Sequence, residues 1–140
     1  MASNAVSGVG TVFNRSDMES NPVFTAIAEI NSLDGPNKSR DTIDVTSLDS
    51  TGGYREFIAS FRDGGEVTLE MNFTRDGYLD MNADFEIETL VDYQIVLPDA
   101  GNTTLDFSGL VTNVGLAVPL DDKISAPITI KVSGQVNLSS

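Results

Sequence analysis

Between residues 41 and 73 the chain carries two strand-like runs separated by a long polar stretch. In the closing run Val67, Leu69, Met71 and Phe73 alternate with Glu66, Thr68, Glu70 and Asn72. A period of two puts one dry and one wet, acidic face on an extended chain. The opening run repeats this on a smaller scale, with Ile43 and Val45 set against Thr42, Asp44 and Thr46. Between them lie Gly52-Gly53, the cluster Tyr54-Arg55-Glu56-Phe57 and Gly64-Gly65. Loops longer than about 12–15 residues are usually functional or disordered. This one holds a Tyr, two Phe and an Ile, which is too much apolar content for a slack linker.

The rest of the chain extends the pattern. Residues 1–21 are small and polar, with Val6, Val9, Val12 and Phe13 as the apolar anchors. They read as a flexible arm, with Phe13 as the residue that would seat it on a neighbouring subunit. One domain, residues 22–140, follows. Residues 23–31 read as a strand, and Asp34-Gly35-Pro36-Asn37 as a turn that would pair this strand with residues 41–47. Residues 79–91 read as a helix. Leu79, Ala83, Ile87 and Leu90 form one stripe, and Asp80, Asp84 and Glu88 an acidic one. Strands follow at 93–97, at 103–118 with an interruption near 113–115, and at 124–138. In the last strand Ile128, Ile130, Val132, Val136 and Leu138 share a face. The expected fold is mainly β: an antiparallel β-sandwich or half-barrel with one flanking α-helix and a long loop between the second and third strands.

Charge narrows the function. Twenty-one acids against eight bases give −13 over 140 residues, and the acids are spread along the chain. Such a surface disfavours gripping phosphate, which needs Lys and Arg to displace counterions, and disfavours anionic membranes. The chain contains no Cys and no His, so disulfides, thiol nucleophiles and imidazole chemistry drop out. No apolar run reaches the roughly 18 residues of a membrane span. The first residues lack the pattern of a signal peptide, so the expected compartment is the cytoplasm where the chain is made.

The motifs that resemble reactive sites fail on inspection. Asp80, Asn82 and Asp84 occupy the first odd positions of a calcium loop, but Phe85 stands where Gly is required and Val91 where Glu is. Gly8-Val9-Gly10 lacks the third glycine of a dinucleotide fingerprint. Glu66 and Glu70 are neighbours on a wet strand face. No nucleophile sits beside a base, so the residues point to no catalytic group, cofactor or metal, and to a self-assembling structural protein.

Four segments sharpen this. Asp41-Thr42-Ile43-Asp44-Val45-Thr46, Gly53-Tyr54-Arg55-Glu56-Phe57-Ile58 and Asp63-Gly64-Gly65-Glu66-Val67, with the closing Ile124-Ser125-Ala126-Pro127-Ile128-Thr129-Ile130-Lys131-Val132-Ser133-Gly134, resemble the major tail tube proteins of long, non-contractile-tailed bacteriophages. The resemblance implies a β-sandwich of which six copies close a ring, the rings stacking into a hollow virion tail tube. It implies that residues 47–62 reach the adjacent ring. The contact candidates there are Ser47, Leu48, Asp49, Tyr54, Arg55, Glu56, Phe57, Phe61 and Arg62, with Arg55 pairing to an acid across the joint. Glu29, Asp44, Glu66 and Glu70 become candidates for an acidic lumen through which DNA passes without specific binding. The implied partners are identical copies, tail tip and tail terminator proteins, and a tape measure protein in the lumen. The alternatives are the tube of a related secretion or gene-transfer machine, or a carbohydrate-binding β-sandwich.

Overall fold

The structure, a computed structural model, describes residues 8, 10–16, 24–27 and 30–139. Nine strands and one α-helix are present among them: β1 (Val12–Ser16), β2 (Phe24–Ala26), β3 (Ile30–Asp34), β4 (Ser39–Asp44), β5 (Phe57–Asp63), β6 (Glu66–Asn72), α1 (Arg75–Glu86), β7 (Val91–Val96), β8 (Thr104–Val114) and β9 (Ser125–Ser139). Seven strands form one antiparallel sheet in the order β2-β1-β7-β8-β9-β6-β3, and β4 and β5 form a separate ribbon. The expected class, mainly antiparallel β with one helix, is what the chain adopts.

Connectivity requires this sheet to curl. β2 and β3 are its opposite edges, yet only three residues separate Ala26 from Ile30. Four Cα steps span at most about 14 Å, whereas six strand spacings in a flat sheet amount to about 29 Å. The two edges must therefore approach each other, giving a half-closed barrel around one core. The register lines up its dry face. Val67 faces Ile130, Leu69 faces Ile128 and Met71 faces Ala126. Val111 faces Ile130, Tyr93 faces Phe107 and Phe13 faces Ile95. All belong to one buried cluster.

The helix covers part of this face. Thr74 caps it by accepting a hydrogen bond from the Gly77 N–H at 3.2 Å. It starts four residues earlier than the periodicity predicts and ends at Glu86. Its buried stripe is Gly77, Met81 and Asp84, not Leu79, Ala83 and Ile87, which are exposed. Asp84 is buried because it has partners. Its carboxylate accepts from Arg15 Nε at 2.6 Å and from the second guanidinium nitrogen at 2.5 Å, and from the Tyr93 hydroxyl at 2.8 Å. The hydrogen bond to Asp84 raises the Arg15 guanidinium above its ordinary value despite the desolvation that opposes it. Burial, followed by the charge of Asp84, raises the Tyr93 hydroxyl.

Three expectations need correction. Residues 12–16 are not arm but strand β1, and Phe13 is 1% exposed, stacked on Tyr93 with ring centroids 5.5 Å apart. It is part of its own core and cannot anchor a neighbour; residues 1–7, 9 and 17–23 lie outside the described residues. The strand expected over 23–31 is two strands on opposite edges, β2 pairing with β1 and β3 with β6. β3 does not pair with residues 41–47, because Leu33 gains a place opposite Leu69 against the core, while β4 has its partner in β5.

Candidate assembly surface

The expected loop between residues 47 and 62 is largely the far half of a β-hairpin. β4 and β5 pair through Ser39 with Asp63, Arg40 with Arg62, Thr42 with Ala59, Ile43 with Ile58 and Asp44 with Phe57, with a register shift between Arg40 and Thr42. Its root is a tight crossing of two chain segments. Gly35 has φ +101°, and a Cβ there would lie 2.3 Å from the Glu66 carbonyl oxygen; Gly65 has φ +77°, and its Cβ would lie 2.1 Å from that of Asn37. Only glycine tolerates both the left-handed backbone and the approach. Lys131 Nζ meets Asp63 at 3.2 Å at the same end. The Gly65 N–H and Lys131 hold the Asp63 carboxyl below the usual range.

The hairpin tip satisfies its own polar groups. The Val45 N–H donates to the Glu56 carbonyl at 2.9 Å, and the Glu56 N–H donates to Thr46 Oγ1 at 2.8 Å. Ser50 Oγ donates to Glu56 Oε2 at 2.9 Å and accepts from the Ser47 N–H at 3.0 Å. Asp44 accepts from the Thr46 N–H at 2.8 Å and pairs with Arg55 at 3.1 Å. Hydrogen bonding from Thr46 keeps the Asp44 carboxyl below its usual range. A short 3-10 turn, Thr51–Gly53, closes the tip.

What the hairpin does not satisfy is its apolar surface. Leu48 is fully exposed, Tyr54 is 77% and Phe61 86% exposed, and Ile43, Val45, Phe57 and Ile58 are about half exposed. The alternation in this stretch therefore marks dry side chains that the chain's own body leaves uncovered. A concentration of this kind marks an interaction surface. Ser47, Asp49, Glu56 and Arg62 lie on the same hairpin, all exposed.

The acid candidates fall in different places. Glu66 and Glu70 lie on the polar face of β6, exposed, with Glu66 opposite Lys131 and Glu70 opposite Pro127 of β9. Asp44 lies on the hairpin, paired to Arg55, and does not join them. Glu29 lies outside the described residues. A second polar strip, which the sequence reading missed, crosses the same sheet. Asn14 donates to Gln94 at 2.9 Å and Gln94 to Asp106 at 3.0 Å, with Ser108 donating to Asp92 beside them. Its residues sit on three strands, so only the register brings them together. Among the described residues no cluster of three or more acids is placed to hold a metal, and no helix is long and apolar enough to cross a membrane.

Solved structures share this fold. The tail subunit of an empty gene transfer agent particle, refined with C6 symmetry, superposes with a TM-score of 0.76 at 20% identity, covering 92% of this chain and 96% of that one. A chain of the native gene transfer agent virion gives 0.77 at 19%, covering 97% and 100%. A chain of the sheath–tube complex of an extracellular contractile injection system gives 0.71 at 16%, covering 99% and 94%. No curated protein sequence matches the chain. The model of the lambda phage tail tube proteins matches residues 7–139, nearly the whole length, and the chain therefore belongs to the lambda phage tail tube protein family.

Proposed function

We propose that this tail tube protein polymerises as rings stacked into the tube of a phage-like virion, and that β4 and β5 form the element joining one ring to the next. The observation that carries the reading is the hairpin itself: a polar-satisfied ribbon with Leu48, Tyr54 and Phe61 in solvent. Interface cores favour such aromatic side chains. The sheet supplies a second argument. β2 and β3 are edge strands, and lateral pairing between copies would remove edges that otherwise invite aggregation. C6 symmetry in the related gene transfer agent tail supports six copies per ring. Chains of a baseplate, a tube terminator and a cap share the fold in related machines, which supports tail tip and terminator partners here. A tape measure protein in the lumen belongs to the same reading.

The polar face bearing Glu66, Thr68 and Glu70 is the wall such a tube would turn toward DNA. It offers acids and hydroxyls, and its Lys131 is already paired with Asp63. Like charge without a cationic grip lets the polymer slide, and screening over roughly 8 Å at physiological salt confines the effect to the wall. The role is structural, with no catalysis. Negative-stain imaging of the purified chain at rising concentration tests it: stacked rings with a central hole are expected, and dispersed monomers at every concentration would refute it.

A further inference from the structure

The hairpin carries a second anomaly besides its exposed aromatics. Residues 38–62 contain four of the eight Lys and Arg and four of the 21 acids. With Asp63, the last residue of β5, that segment carries −1, and the remainder of the chain bears −12. Within it, Arg40 and Arg62 stand directly opposite each other across the ribbon. Like charges in directly opposed positions repel and destabilise a two-stranded pair. Among the described residues three cations have carboxylate partners: Arg15 has Asp84, Arg55 has Asp44 and Lys131 has Asp63. Among the described residues neither Arg40 nor Arg62 meets a carboxylate. Both line an open cleft of about 800 Å³ between the hairpin and residues 132–136 of β9.

The topology shows what faces them in a stack. β6 and β9 pair from Glu66–Lys131 at one end to Asn72–Ser125 at the other. The hairpin leaves from the Glu66 end and runs alongside residues 132–136, past the end of β6. The turn between β8 and β9 caps the opposite end, tied down where Ala117 bridges Ser125. There Leu116, Val118 and Leu120 are exposed beside the exposed acids Asp121 and Asp122. One end of the molecule thus presents Arg40 and Arg62, with Asp41 and Asp63 in the same cleft, beside apolar side chains, and the other presents Asp121 and Asp122, followed by Lys123, beside apolar side chains. A surface that complements a different surface on an identical copy gives a head-to-tail contact, which propagates as an open filament.

We infer that the Arg40–Arg62 pair is the docking site for the Asp121–Asp122 turn of a second copy in the next ring, with Phe61 and Leu120 filling the apolar part of the joint. This rests on the assembly reading above and names its contact. Two guanidinium groups on opposed residues suit carboxylates, which accept bidentate bonds, and the incoming acids remove the repulsion that the isolated hairpin retains.

Charge reversal tests it. The doubles R40E/R62E and D121R/D122R change only exposed side chains, so each should keep the circular dichroism and unfolding midpoint of the parent, and each alone should form no tubes. The quadruple variant with all four reversals should recover tubes, and so should an equimolar mixture of the two doubles, in which unlike ends alternate. Doubles that polymerise like the parent would overturn the docking site while leaving the assembly reading intact. Doubles that fail, with neither the quadruple nor the mixture restoring tubes, would overturn the assignment of Asp121 and Asp122. Normal tubes from R40E/R62E that have lost retention of double-stranded DNA would mean that the pair holds phosphate instead, and would also overturn it. A parent chain that never forms tubes refutes the assembly reading, and the inference with it.

Discussion

At the scale of single residues, the fold depends on one polar contact more than its charge count suggests. Asp84 is buried, and it joins β1, α1 and β7 through Arg15 and Tyr93. Asp84→Ala would strand a guanidinium and a phenol, and breaking a buried pair costs about 3–5 kcal/mol. Because the Arg15 side chain is about a quarter exposed, the lower end is expected, read as a fall in the urea midpoint of the monomer. Tyr93 sets an alkaline limit. Its hydroxyl is raised in the folded state by burial and then by Asp84, whereas an unfolded Tyr titrates near about 10. Its contribution is complete below that value and declines as pH rises beyond it. Tyr93→Phe should flatten the fall in stability above about pH 10, measured by unfolding across pH 8–11. Gly65→Ala should cost more than about 1 kcal/mol, since its Cβ would sit against the Asn37 carbonyl.

At the scale of elements, legibility followed periodicity. β6 and most of β9 were readable because every second side chain enters the core: Val67, Leu69 and Met71, then Ile128, Ile130 and Val132. Leu138 breaks the series and is exposed, beyond the register shift near Ser133 and Asn137. β5 was hidden because Phe57-Ile58-Ala59-Ser60-Phe61 does not alternate cleanly and meets β4 through a shift. The helix face was misassigned because a carboxylate looks wet until a cation 69 residues away is brought to it. The contact candidates near Tyr54 and Phe61 were visible as excess apolar content, but their place on a ribbon instead of a loop was not. The hairpin allows a specific test. Replacing Leu48, Tyr54 and Phe61 together with Ser should leave the monomer within about 0.5 kcal/mol per site, as exposed substitutions usually do. It should abolish tubes in sedimentation assays; tubes of ordinary length would remove the hairpin from the joint.

At the scale of the whole molecule, charge and topology fit one arrangement. A subunit at −13 repels its copies, and its hairpin, with three cations against five acids over residues 39–63, is the part best able to approach them. On the proposed stacking the opposite ends of the β6–β9 pair meet, and Glu66 and Glu70 of the polar face would line the wall. Replacing Glu66 and Glu70 with Lys should therefore preserve tubes while slowing DNA release from assembled particles, timed by dye-labelled DNA escape. The most direct examination is a helical reconstruction of tubes grown from the purified chain. The expected density shows stacked rings with residues 39–63 of one subunit seated against the turn between β8 and β9 of a subunit in the next. Rings joined by another surface, with that hairpin folded back on its own body, would contradict the account.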